Sequence, residues 1–250
     1  PFILVGEDVK FERLESSLDG QELAVGDQQS QVSFRIPLLG KHQIENAAIA
    51  YTALKTSGIP ISDEAIQKGF ARVRWPARFE VLRRQPPVVI DSAHNRDSAN
   101  RLRETLDEYF PEIPVILIFC ALEDKDISGI LEELKPRLEC VVATRADHPR
   151  APSAEWLAEQ VRKAGIPVEA VTPVSNALER ALELARSLDE RRSVRRHPAQ
   201  LARHGGARPP HTRVDGRRVQ DSRDPRPPRR PGRRRGLAGR HRPARGDAHP

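Results

Sequence analysis

The side chains best suited to chemistry stand at the ends of apolar runs. Val88-Val89-Ile90 leads into Asp91-Ser92-Ala93-His94-Asn95. A carboxylate there occupies the carboxyl end of a strand, where open α/β sheets bind ligands; a cap for the following helix is the plainer alternative for Asp91. His94 shares the loop and is of a type that contacts phosphate or moves a proton near neutral pH; a purely structural histidine is the plainer alternative. Arg78, within Arg74-Trp75-Pro76-Ala77-Arg78-Phe79-Glu80, carries a fixed charge and a planar fork that fit phosphate or carboxylate oxygens, unless Glu80 pairs with it at the surface. Lys125 and Asp126 follow the apolar run 115–120, and Arg150 follows the run 140–144. Arg150 suits a substrate carboxylate. Lys125 with Asp126 either positions a substrate or a domain interface, or forms a solvated charge cluster.

These positions require a particular scaffold. Short apolar runs at 2–5, 9–14, 23–25 and 32–36, separated by Gly, Asp and Ser clusters, predict strands joined by turns. From Gly40, apolar residues at helical spacing predict a helix stopped by Gly58-Ile59-Pro60, and Ser62 followed by Asp63 and Glu64 predicts the cap and first turn of another. Pro76 disfavours helix at Trp75, so a domain boundary is placed there, dividing 1–75 from 76–190. Beyond it, the β-rich runs 87–91, 115–120, 140–144 and 168–171 alternate with helical segments. Asp97 or Ser98 is expected to open one of these, Ser153 to open another that closes at Gly165, and the last runs from Val174 to about Leu188. This rhythm predicts an α/β fold with a mostly parallel, Rossmann-like sheet.

Charge divides the chain. Residues 191–250 hold 19 Arg, no Lys and 4 Asp, a net of +15, so residues 1–190 carry −8 against +7 for the whole. The Arg- and Pro-rich segment has few aliphatic residues to bury and is expected to be a disordered tail. Clustered Arg fits a nucleic-acid-binding arm, but Lys and stacking aromatics are missing, and no nucleic-acid partner is expected. A shifted reading frame in a GC-rich gene explains the composition better: read one base later, codons for residues 196–207 can encode Val-Thr-x-x-Ser-Leu-Leu-Val-Met-Ala-Glu-Ala, a buried strand and helix. Cys120 and Cys140 lie in apolar runs and are read as small core residues, with no disulfide framework or metal site. No apolar stretch is long enough to span a bilayer, so a cytoplasmic protein without a membrane partner is expected. The chain starts at Pro1 and has no methionine, which suggests that it begins inside a larger gene product.

Three segments resemble motifs of one family. Leu39-Gly40-Lys41-His42-Gln43-Ile44-Glu45-Asn46-Ala47-Ala48 is similar to the Gly-x-His-Gln-x-x-Asn-Ala element of folylpolyglutamate synthases. Residues 74–80 resemble their Arg-x-Pro-Gly-Arg-x-Glu turn, and Asp91–Asn95 their Asp-Gly-Ala-His-Asn-Pro strand end. Order and spacing agree, and Asp124-Lys125-Asp126 follows the next strand. The resemblance, over about residues 1–188, is to the C-terminal half of a Mur ligase: the end of the central ATPase domain, then most of the C-terminal domain. It implies an ATP-dependent ligase that phosphorylates a folate or dihydropteroate carboxylate and joins L-glutamate to it, with Mg2+ as cofactor and a monomeric state. No Gly-x-x-x-x-Gly-Lys-Ser/Thr loop occurs in the sequence, so the phosphate loop and metal ligands are expected in an N-terminal region absent from it, and the chain alone is expected to be inactive. The resemblance implies that Asn46, Arg78 and Asp91 contact the nucleotide, that His94 assists proton transfer from the incoming ammonium, and that Lys125, Asp126 and Arg150 meet glutamate; His42 and Gln43 either join Asn46 or hold the helix start. Alternatives are a Mur ligase acting on UDP-linked peptidoglycan precursors, a nucleic-acid-binding protein acting through the tail, or an inactive relic. Ala77 and Ser92 replace glycines of the motifs, and Arg96 replaces a proline. If residue 77 must adopt positive φ, the turn carrying Arg78 is strained.

Overall fold

In the computed structural model, residues 2–26 and 30–196 are described, with side chains through residue 190. The N-terminal part is an antiparallel meander of β1 (Lys10–Ser17), β2 (Gly20–Gly26) and β3 (Gln31–Ile36), followed by α1 (Lys41–Thr56) and α2 (Asp63–Ala71). Alternation along β2 and β3 sends Leu23, Val25, Phe34 and Ile36 to the face covered by Ile44, Ala47, Ala48 and Tyr51 of α1 and Ile66 of α2. Phe34 stacks between Tyr51 and Phe70, with centroids 5.7 and 4.7 Å away. Each such fully buried aliphatic or aromatic side chain contributes roughly 1.5–3 kcal/mol. Ser62 caps α2 as expected, accepting from Ala65 N at 3.2 Å. The run 2–5 is not a strand: Gly6 takes φ +102°, and the Asp8 carboxylate accepts from Leu4 N, closing a turn bridged by Val5 and Val9.

The chain then forms a hairpin, β4 (Glu80–Arg84) with β5 (Pro87–Ile90), and runs through α3 (Arg96–Tyr109), β6 (Val115–Phe119), α4 (Ile127–Leu134), β7 (Leu138–Ala143), α5 (Ala154–Lys163), β8 (Val168–Ala170) and α6 (Val174–Arg196). The parallel sheet is β6-β7-β8. Val141 and Ala143 pack under α4 and α5 with Ile130, Leu131, Leu157 and Val161, while Val142 faces Ala177 and Ala181 of α6. The sheet is thus covered on both faces, as parallel sheets are. One expected parallel strand is placed differently: 87–90 pairs antiparallel with β4, a partner whose sequence Glu-Val-Leu-Arg-Arg is too polar to announce itself.

Helix ends refine the sequence reading. Ser153 caps α5, and Gly165 at φ +71° follows its last turn. α3 starts earlier than expected, because Asn95 and Ser98 form a reciprocal capping box: Asn95 Oδ1 accepts from Ser98 N and Ser98 Oγ from Asn95 N. α6 continues to Arg196, six residues into the segment expected to lack structure; Arg, Leu and Glu are good helix formers, and no Pro occurs between positions 173 and 198. The rest of the tail, including most of the proposed frame-shifted stretch, lies outside the described residues. Cys120 is exposed and Cys140 half-buried, so neither is a core residue. Cys120 stands one residue past β6, where the run leaves the sheet.

A third cluster, Leu39, Phe79, Leu106 and Phe110, joins the entry to α1, the 77–79 turn and α3. Fully buried Gln21 strengthens this junction by donating to Leu38 O and Gly40 O at 2.7 and 3.0 Å and accepting from Arg13, which pairs with Glu108 of α3.

Candidate functional site

The 77–79 turn and the end of β5 are built as one unit. Asp91 Oδ2 accepts from Phe79 N and Asp91 Oδ1 from Ala93 N, both at 2.8 Å, and Ser92 N donates to Ala77 O at 2.9 Å. Asp91 therefore does not cap α3; it ties the turn to the strand end with two charge-assisted hydrogen bonds. The fixed turn requires left-handed backbone at Ala77 (φ +57°) and Phe79 (φ +47°), so the strain anticipated at the replaced glycine is present. Phe79 is held in place by burial against Tyr109 and Phe110.

Between these two residues, Arg78 is presented half-buried. It does not pair with Glu80, whose Oε2 accepts from Ala77 N at 3.1 Å. Its guanidinium lies 5.3 Å from the centroid of Trp75, a cation–π contact. Among the described residues it forms no ion pair, which leaves its fork available to an anion. His94 is exposed, and its Nδ1 lies 3.0 Å from Ser92 O. A carbonyl can only accept, so Nδ1 carries a proton, and Nε2 carries the lone pair whenever the ring is neutral.

α1 approaches this unit through its first turn. Gly40 has φ +101°, and a Cβ there would lie 2.7 Å from Thr105 Oγ1 of α3 and 2.8 Å from His42 Cε1. Only glycine permits this approach. His42 is brought within electrostatic reach of Arg101 and Glu104 of α3, of Asp91 and of Arg78. Burial, followed by Arg101, holds its pKa below the ordinary 6.5; Asp91 and Glu104 oppose that shift. Asn46, one turn further along, is exposed, and its Nδ2 donates to Gln43 Oε1 at 3.2 Å.

The structure thus brings His42, Arg78 and Asp91 together, with Asn46 and His94 flanking them. Lys125, Asp126 and Arg150 belong to loops after β6 and β7. Lys125 lies 3.8 Å from Asp124. Asp126 caps α4, accepting from Gly129 N at 2.9 Å, and a Cβ on Gly129 would stand 2.1 Å from its Oδ2. Arg150 is exposed, with its backbone N donating to His148 Nδ1. Sequence reasoning missed Arg101, Glu104 and Thr105, which lack any local signal and face His42 only because α3 folds back on α1. It also missed Thr144, whose buried hydroxyl just past β7 has no hydrogen-bond partner among the described residues. Among the described residues, no group of three or more His, Cys, Asp or Glu could hold a metal ion.

Residues 77–190 match the Mur ligase, glutamate ligase domain. This match takes in 114 of the 250 residues, so over that segment the chain resembles the Mur ligase family. The matched segment begins at the strained turn and runs into α6. A dihydrofolate synthase/folylpolyglutamate synthase of Bacillus subtilis (strain 168) is 34% identical over 127 residues, 49% of this chain and 30% of the relative. One of Mycobacterium tuberculosis (strain ATCC 25618 / H37Rv) is 32% identical over 175 residues, 62% of this chain and 36% of that protein. The chain therefore spans about a third of the length of these curated relatives. Among solved structures, Mycobacterium tuberculosis folylpolyglutamate synthase complexed with ADP superposes with a TM-score of 0.66 at 31% identity, covering 72% of this chain and 41% of that one. The bifunctional folylpolyglutamate synthase/dihydrofolate synthase with Mn, AMPPNP and L-glutamate bound gives 0.57 at 28% identity, with 72% and 41% covered.

Proposed function

We propose that these residues form one wall of the cleft of an ATP-dependent ligase that joins L-glutamate to a folate or dihydropteroate carboxylate through an acyl phosphate. The observation that carries this reading is Arg78, a cation that forms no ion pair among the described residues, fixed by a strained turn that Asp91 ties to the strand end. Such a cation is placed to stabilise charge on phosphoryl oxygens, and rigidity is what makes that stabilisation effective. Bound ATP would supply the phosphoryl group, with Mg2+ as its expected companion; the donor sets described above fit the nucleotide rather than the metal. Asn46 offers its amide and Asp91 its remaining lone pairs to the nucleotide. In its neutral form, His94 would offer Nε2 to the proton that the ammonium of glutamate must lose before it attacks. Lys125 and Arg150 supply cations for the glutamate carboxylates, and Asp126 fixes the first turn of α4 beside them. With no phosphate loop in its sequence, the chain is proposed to need that element supplied for turnover.

The relatives with ADP, AMPPNP and L-glutamate favour this chemistry, and their names favour folate acceptors over UDP-linked ones. A cytoplasmic site of action agrees with folate chemistry and is part of the proposal. The test is a graft of residues 1–190 in place of the corresponding segment of the Bacillus subtilis relative. ADP release that depends on both glutamate and a folate acceptor is expected. A graft that folds and binds ATP but releases no ADP with any folate acceptor would overturn the proposal.

A further inference from the structure

The first two turns of α1 contain a chain of side-chain hydrogen bonds of which the proposed chemistry uses only the outer end, Asn46. His42 Nε2 lies 3.0 Å from Gln43 Nε2, and Gln43 Oε1 lies 3.2 Å from Asn46 Nδ2. An amide nitrogen donates, so His42 Nε2 is the acceptor and its ring proton is on Nδ1. Gln43 then accepts from Asn46, which turns Asn46 Oδ1 away from the chain, without a hydrogen-bond partner among the described residues. Gln43 is 6% exposed, and the half-buried His42 ring lies beside Gly40, where a Cβ would stand 2.8 Å from its Cε1.

We propose that His42 is a positioning residue whose protonation reverses this chain and turns the Asn46 amide around. In the imidazolium both ring nitrogens donate. Nε2–H then opposes the Gln43 amino group, so Gln43 rotates to offer Oε1 to His42 and Nε2 to Asn46. Asn46 Oδ1 becomes the inward acceptor, and its NH2 faces outward. The ring takes one proton from solvent, and no other group changes its ionisation.

The groups that face His42 set which state prevails. Arg101 and Glu104 come from α3, Arg78 from the 77–79 turn and Asp91 from the end of β5. Burial and the two arginines keep the ring neutral, and the two carboxylates do not overcome them. The outward acceptor is therefore the state at neutral pH, and the reversal falls below pH 6.5, the ordinary value for histidine. On the proposed reading that Asn46 contacts the nucleotide, the neutral chain suits a ligand donor such as an exocyclic amino group. Reversal sets donor against donor and weakens binding about tenfold.

The test follows side-chain 15N signals of the full 250-residue chain while pH is lowered from about 8 until His42 has titrated. Expected are a lone-pair Nε2 on His42 at the start, and an Asn46 amide signal that moves with the His42 midpoint. That movement should vanish in His42→Asn and, independently, in Gln43→Leu. An Asn46 signal that stays still while His42 titrates overturns the proposal. So does one that follows His42 in Gln43→Leu, a proton on Nε2 at the start, or unfolding before His42 titrates. ATP affinity measured calorimetrically on the same samples should fall about tenfold across the midpoint. Coupled NMR signals without that fall would support the relay and remove Asn46 from the nucleotide site.

Discussion

Replacing Ala77 by glycine should stabilise the protein. Ala77 adopts φ +57°, a left-handed conformation that costs an L-residue roughly 1–2 kcal/mol. Nothing the side chain does requires alanine, since the contacts that define the turn are backbone ones: Ala77 N to Glu80 and Ala77 O from Ser92. Glycine keeps both. Against the relief stands the greater freedom of glycine in the unfolded chain, about 0.4–1 kcal/mol. The net expectation is a gain of about 0.5–1 kcal/mol, or on the order of 1–4 °C in Tm for a chain of this size. Urea denaturation should show a higher midpoint with an unchanged slope. The same strain at Phe79 cannot be relieved in this way, because that side chain is 3% exposed and truncating such a ring costs roughly 3–5 kcal/mol. A loss of about 0.5 kcal/mol or more in Ala77→Gly would refute the argument that the turn is strained at this position.

Other consequences follow from the same contacts. Asp91→Ala removes the acceptor of two backbone N–H groups and should cost about 2–3 kcal/mol in chemical denaturation. Gly129→Ala collides with the Asp126 cap; it should be neutral or destabilising in the native background but stabilise Asp126→Ala by about 1 kcal/mol, a sign change that a double-mutant cycle reads directly. His42 has a lowered pKa in the folded state, so below pH 6.5 the unfolded chain binds its proton first and stability falls as pH falls. In His42→Asn the dependence of unfolding free energy on pH should be shallower over that window.

Local signals in the sequence were the legible ones. Ser62, Ser153 and Gly165 act through neighbours within a turn of themselves, and the glycine replaced by Ala77 marked the strained position through its resemblance to a motif. What escaped depended on distant partners or on chemistry hidden by composition. The charged β4 earns its place only by pairing with β5, and Asn95 was masked as a cap because it stood inside a motif with a catalytic reading. Asp91 likewise looked like a ligand or a helix cap. Its use as the tie between turn and strand appears only once residues 77–79 return beside it. The contact of Gly40 with Thr105 joins helices more than sixty residues apart, and nothing in either segment announces it.

The central claim is that the start of α1, the 77–79 turn and the β5–α3 loop form a single nucleotide-facing surface. Backbone NMR of the chain titrated with ATP and Mg2+ tests it most directly. The account predicts shifts at Asn46, Arg78 and Asp91–His94 that saturate together, and an Arg78→Ala variant that keeps its fold, loses less than about 1 kcal/mol of stability and binds ATP at least about tenfold more weakly. ATP that saturates at other residues, or binds Arg78→Ala as tightly as the parent chain, would contradict it.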